Sequence, residues 1–198
     1  MNTGDKSDRL FQSDFWERLT HVHHNTPLFI YGPAIVAAFF YGLFGEDLNV
    51  GAAVGFYLFG AFSWTFTEYG LHRFVFHYEP TSYVGKRLHY LFHGIHHDFP
   101  NQATRLVMPP TTSIPISIVL FGIFYLAMGG SAYPFYAGFI SGYLYYEFVH
   151  FSIHHTRKAG LLWNESQRKQ HLQHHFKNAD KQYGVTSPLW DIIFRTIR

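Results

Sequence analysis

Cysteine is absent from this 198-residue chain, which removes disulfides, thiolate metal ligands and cysteine nucleophiles from consideration. Charge is scarce as well: Asp, Glu, Lys and Arg make up 14% of the residues, against roughly 25% in a soluble domain. A formal net charge of +2 is too small for a nucleic-acid-binding surface. The opening stretch MNTGDKSDRLFQSDFWERLT contains no apolar run of the kind a cleavable signal peptide needs. Three catalytic signatures are also missing, namely His-Glu-x-x-His, a Gly-rich phosphate loop and Gly-x-Ser-x-Gly.

The missing charges are not spread evenly. Pro27–Gly45 and Leu48–Thr67 carry none, with only Glu46 and Asp47 between them, and Leu106–Tyr146 runs 41 residues without one. A bilayer core needs about 20 mostly apolar residues per helix. The first two runs therefore predict a helical hairpin, and the third a second hairpin turning at Gly129-Gly130. The mean hydropathy of -0.05 hides this pattern, because polar histidine-rich segments offset the apolar ones. All fifteen Lys and Arg fall before the first run, between the second and third, or after the fourth. The positive-inside rule then puts both termini, the central segment and every histidine in the cytosol. The expectation is an all-α integral membrane protein with four spans, at about 27–45, 48–67, 107–128 and 131–148. Residues 1–26 form an N-terminal segment, and 27–198 form one domain whose helical cytosolic cap comprises 68–105 and 149–198.

Against these absences stand fifteen histidines, ten of them in four clusters. His72 and His77 lie in LHRFVFH; His93, His96 and His97 in HGIHH; His150 and His154 in HFSIH; His171, His174 and His175 in HLQHH. Residues at i, i+3 and i+4 share a helix face, so three of the clusters present convergent imidazoles. His72 and His77, five apart, are expected to flank a bend or reach different ions. Neutral imidazole is a ligand for iron, copper, zinc and nickel. Ten are too many for one ion and suit two. Glu68, Glu147, Asp98 and Asp180 are candidates to orient the far ring nitrogens. His21, His23 and His24 fit an interfacial role, and His89 and His155 stay open.

The four clusters resemble the membrane fatty acid hydroxylase superfamily, whose pattern is His-x4-His, His-x2-His-His, His-x3-His and His-x2-His-His. The resemblance runs from about Thr67 to Thr196. The segments EYGLHRFVFH, HGIHHDFPNQATRLVMPP and YGVTSPLWDIIFRT look like the fatty acid 2-hydroxylases of sphingolipid acyl chains, with Arg105–Pro110 the most specific piece. The resemblance implies that the ten histidines hold two metal ions, iron in the active form and zinc a possible replacement on isolation. It also implies substrate-side roles for Tyr143, Tyr146 and Glu147.

By the same resemblance the activity is an oxygen-dependent monooxygenase acting at C2 of a lipid acyl chain. Eukaryotic members carry a heme-binding cytochrome b5-like domain whose His-Pro-Gly-Gly is absent here, which implies a separate electron donor of cytochrome b5, ferredoxin or reductase type. The short N-terminal segment points to a bacterial inner membrane over the endoplasmic reticulum. A carotenoid or sterol hydroxylase, or a desaturase, is the rival within the same chemistry. A metal transporter is the rival outside it, but would need polar ligands along the spans.

Overall fold

The computed structural model describes residues 9–156, 160 and 163–197. Among them every regular element is helical. Short α1 (Asp14–Arg18) precedes two long helices, α2 (Thr26–Phe44) and α3 (Val50–Leu71). Pro27 in the first turn starts α2, where its missing N–H costs nothing. Asn49 starts α3 by accepting the Ala52 N–H at 2.9 Å. Beyond α3 come α4 (Tyr83–His89) and α5 (Ile95–Asp98), then two long helices, α6 (Pro110–Met128) and α7 (Ala132–His155). The chain ends with α8 (Glu165–Phe176), opened by an Asn164–Gln167 capping box, and α9 (Leu189–Ile193).

Three stretches are long and apolar enough to cross a membrane: Thr26–Phe44, Val50–Phe76 and Ala103–His155. The sequence predicted four, and the difference lies in the third. As one straight helix its 53 residues would extend about 80 Å at 1.5 Å per residue. The chain breaks instead at Gly129, whose φ of 56° closes α6. α6 and α7 then run antiparallel, with Phe121 against Tyr136 (5.1 Å between rings), Phe124 against Phe135 (4.9 Å), and the Ser117 and Tyr136 hydroxyls bonded. The helices also outrun the apolar segments. α3 continues through a π-helical turn to Phe76, and α7 reaches His155, so both carry histidines on their ends. Of the basic residues behind the expected orientation, Lys6, Arg157, Lys158 and Arg198 lie outside the described residues.

α7 is the centre of the bundle, packed on α2 and α3. At its crossing with α3 the backbones touch: a Cβ on Gly60 would lie 1.9 Å from the Phe135 carbonyl oxygen, and one on Gly138 would lie 1.8 Å from that of Tyr57. Tyr31, Trp64, Phe135, Phe139, Ile140 and Tyr143 fill the core beside this crossing. The outward faces stay apolar, with Phe29 76% and Leu126 89% exposed, as lipid-facing positions require.

Candidate metal centre

Each histidine is aimed by a local backbone feature. Residues 72 and 77 would diverge on an α-helix, but the π-turn His72–Phe76 bonds the His77 N–H to the His72 carbonyl (3.2 Å), an i to i+5 step that returns both rings to one face. The expected bend or split between two ions is therefore replaced by a shared destination. A second π-turn, Tyr90–Gly94, leads into α5 and sets the second cluster. α7 carries the third cluster and α8 the fourth.

The ten histidines gather into two groups of five: His72, His77, His93, His97 and His174; and His96, His150, His154, His171 and His175. Within each group one ligand atom from every ring lies within 4.8 Å of all the others. Both triplets are split. In HGIHH the i, i+4 pair His93 and His97 joins the first group while His96 crosses to the second. In HLQHH the pair His171 and His175 joins the second while His174 crosses to the first. Each half of the chain thus supplies four rings to one group and one to the other.

The donor set fits metal ions. In the second group the Nε2 atoms follow one another at 2.9 Å (His150 to His96), 2.9 Å (His96 to His175), 3.1 Å (His175 to His171) and 2.9 Å (His171 to His154). In the first, His93 Nε2 lies 3.2 Å from that of His77 and 2.8 Å from that of His97. Nitrogens at right angles around an ion with bonds of roughly 2.0–2.1 Å sit about 2.9 Å apart. His72 and His174 bear out the fit. Their Nδ1 atoms donate to the carbonyls of Tyr183 (2.5 Å) and Lys181 (2.6 Å), while their buried Nε2 atoms have no protein partner. The ring proton is thereby held on Nδ1 and the Nε2 lone pair is left for a cation.

Burial first, and neighbouring histidines second, disfavour the imidazolium form. His97 is lowered to about 4 and His77 to about 3, and His93, His96 and His171 lie well below the ordinary histidine value. These rings are neutral at physiological pH, the state a ligand requires.

Glu68 serves another end than the sequence suggested, while Asp98 and Asp180 act electrostatically on His97 and His174, raising the pKa of each against its burial. Glu68 accepts the N–H groups of Val185 (2.6 Å) and Thr186 (2.9 Å) and the Thr186 hydroxyl (2.5 Å). Asp98 accepts from the Tyr90 hydroxyl at 3.1 Å. Asp191, which the sequence did not single out, is fully buried and accepts the N–H groups of Tyr183 (3.0 Å) and Gly184 (2.8 Å) and the Thr196 hydroxyl (2.7 Å). Glu68 and Asp191 together staple the 181–186 loop whose carbonyls orient His72 and His174.

The remaining histidines stay outside both groups. His21 bonds Thr104 Oγ1 at 2.7 Å, and His24 and His155 both stack on Phe151, with ring centroids 4.2 and 4.4 Å away. His89 belongs to neither group.

A cavity of about 200 Å³ opens beside the histidines. His72 and His93 of the first group and His96 and His150 of the second all line it, so it meets the seam between the groups. Tyr143, Tyr146 and Glu147 line the same cavity, with Tyr146 stacked on His150 at 5.4 Å. Glu147 Oε1 accepts the Met108 N–H (3.2 Å). Glu147 Oε2, the Tyr143 hydroxyl and Trp64 Nε1 are buried, Tyr143 interacting with Glu147 and Trp64 with Glu68. Most of the rest of the lining is apolar.

Residues 57–196 match the family model described as fatty acid hydroxylase. The chain is 38% identical over 194 residues to the dihydroceramide fatty acyl 2-hydroxylase FAH1 of Arabidopsis thaliana, covering 96% of this chain and 79% of that protein. It is 34% identical over 202 residues to the ceramide very long chain fatty acid hydroxylase scs7 of Schizosaccharomyces pombe, covering 98% and 56%. With the fatty acid 2-hydroxylase of Homo sapiens it shares 36% over 155 residues, covering 72% and 39%. Among solved structures it superimposes on full-length scs7p, of which only the hydroxylase domain is visible, with a TM-score of 0.86 at 34% identity, covering 92% of this chain and 69% of that one. These plant, yeast and human relatives lend no support to the expected bacterial inner membrane.

Proposed function

This chain belongs to the fatty acid hydroxylase family, and from that premise we propose that it hydroxylates lipid acyl chains at C2, with O2 as oxidant and electrons from a separate donor. The observation that carries the proposal is the cavity, apolar along most of its wall and bounded at one end by rings of both five-histidine groups. In this reading His72, His77, His93, His97 and His174 hold one ion, and His96, His150, His154, His171 and His175 hold the other. Iron bound there supplies the redox chemistry that transfers one atom of O2 to a C–H bond; zinc, being redox-inert, does not.

The chain's own residues bind, orient and exclude water. Apolar lining takes the acyl tail. Beside His150, Tyr143 offers a hydroxyl donor and Glu147 an acceptor oxygen, one helical turn apart and interacting with each other. An amide-linked acyl group satisfies both at once, its carbonyl accepting from Tyr143 and its N–H donating to Glu147. A free fatty acid would lack the N–H that Glu147 accepts. The pair therefore favours an N-acyl lipid, and pinning its carbonyl there brings the adjacent C2 to the histidines. We further infer that α2, α3, α6 and α7 all cross the bilayer, with both termini and the cap (68–105 and 149–198) cytosolic. Residues 27–198 then form the hydroxylase domain and 1–26 its N-terminal segment.

The test is expression in a host lacking 2-hydroxy lipids, followed by lipid mass spectrometry. The expected product is an N-acyl lipid carrying one added oxygen at C2, lost in His154→Ala. Hydroxylated carotenoids, or no oxygenated lipid from iron-loaded protein supplied with reductant, would overturn the assignment.

A further inference from the structure

We propose that residues 10–20, which precede the stretch matched by the family model, form a wall of the acyl cavity and select which acyl chains it accepts. Leu10, Phe11, Trp16, Leu19 and Thr20 line the same cavity as Glu147 and His150. They reach it from outside the 57–196 stretch that the family model matches.

One carboxylate holds this wall. Glu17 Oε2 accepts the N–H groups of Leu10 (2.9 Å) and Phe11 (2.8 Å), folding the segment back on itself. Glu17 Oε1 pairs with the buried Arg105 guanidinium, which also donates to Thr20 Oγ1 at 2.8 Å and meets His21 Nε2 at 2.9 Å. Burial pushes the Glu17 carboxyl up, but the Phe11 N–H and Arg105 outweigh it, so the group sits below its ordinary value and stays charged at neutral pH. The Val22 N–H, bonded to the Thr104 carbonyl at 2.8 Å, closes the clasp. Three residues beyond Arg105, Met108 donates to Glu147. The Arg105–Pro110 segment therefore joins the cavity wall on one side to the polar pair on the other. Glu17 and Arg105 are positioning residues; Phe11, Trp16 and Leu19 are the surfaces the chain meets.

The inference rests on the acyl-chain reading of the cavity, and two measurements keep the two apart. In the first, purified protein in phospholipid vesicles is irradiated with an N-acyl sphingoid lipid bearing a diazirine on its acyl chain, then cut with trypsin. Label on the Leu10–Arg18 peptide, removed by excess unlabelled lipid, is the expected result. Label confined to residues 57–155 would overturn the wall. In the second, wild type, Trp16→Ala and the milder Trp16→Phe and Leu19→Val are given a mixture of acyl-chain lengths, with metal per chain measured alongside. Several-fold changes in the ratio of long to short hydroxylated products are expected, with metal content unchanged. Glu17→Ala, which leaves the Leu10 and Phe11 N–H groups without their acceptor, should disturb the ratio, and Glu17→Gln, whose amide oxygen still accepts, should disturb it less. A ratio that stays at the wild-type value in every variant, whatever the yield, would also overturn it. A wild-type chain that labels on Leu10–Arg18 yet hydroxylates nothing would sink the proposed function and leave the wall standing.

Discussion

His72 and His174 depend on main-chain carbonyls of Tyr183 and Lys181 for their ring orientation, and those carbonyls depend on carboxylates that never touch a histidine. The consequence is that a residue remote from both histidine groups governs the geometry of one of them. Asp191→Ala orphans two buried N–H groups and a hydroxyl, at a cost on the order of 1–3 kcal/mol for each. It should lower the melting temperature and weaken metal at the first group by roughly 10–100-fold, the usual penalty for losing support behind a ligand. Calorimetry and metal titration check it, and an unchanged affinity would separate the loop from the site. At this scale the ligand types were legible in the sequence because histidine spacing carries them. The supporting carbonyls were not, since any residue has one. Asp191 had a faint signal, a lone acid within the apolar run LWDII. The assignment of Glu68 to a histidine failed because an acid four residues from His72 has several donors in reach, and Val185 and Thr186 arrive from the far end of the chain.

The π-turns and the glycine crossing do the comparable work among elements. A five-residue spacing in the sequence is ambiguous, as it becomes convergent only if the helix widens locally, and nothing in HRFVF announces that. The apolar runs, by contrast, announced α2, α3, α6 and α7 correctly as helices, with Gly129 ending α6. Their ends were less visible because the helices continue past the apolar residues to deliver His72 and His150. Gly60 is the sharpest element-scale test. Its Cβ would fall on the Phe135 carbonyl, whereas one on Gly122 of α6 meets nothing within 4 Å. Gly60→Ala should destabilise the protein by about 1–3 kcal/mol or more through overpacking, while Gly122→Ala should stabilise it by up to about 1 kcal/mol, as read by denaturation in detergent. Equal stability of the two variants would refute the close crossing.

Across the whole molecule the four clusters were legible as one gathered histidine site able to hold metal, but the division into two groups of five was not. Spacing assigns each triplet to one place, whereas the packing of α5 against α8 sends one member of each triplet to the opposite group. No half of the chain completes a five-membered set alone. An ion entering either group therefore fixes a member of both triplets, and in doing so preorganises the other set. This is positive coupling between the two binding events. Metal loading should be cooperative, with native mass spectrometry at half-equivalent metal revealing mostly empty and doubly loaded chains and few with one ion. Independent, statistical filling would contradict it. Such coupling guards the chemistry as well: a singly loaded enzyme, able to reduce oxygen without directing both electrons into a substrate, would be a scarce species in a metal-poor cell.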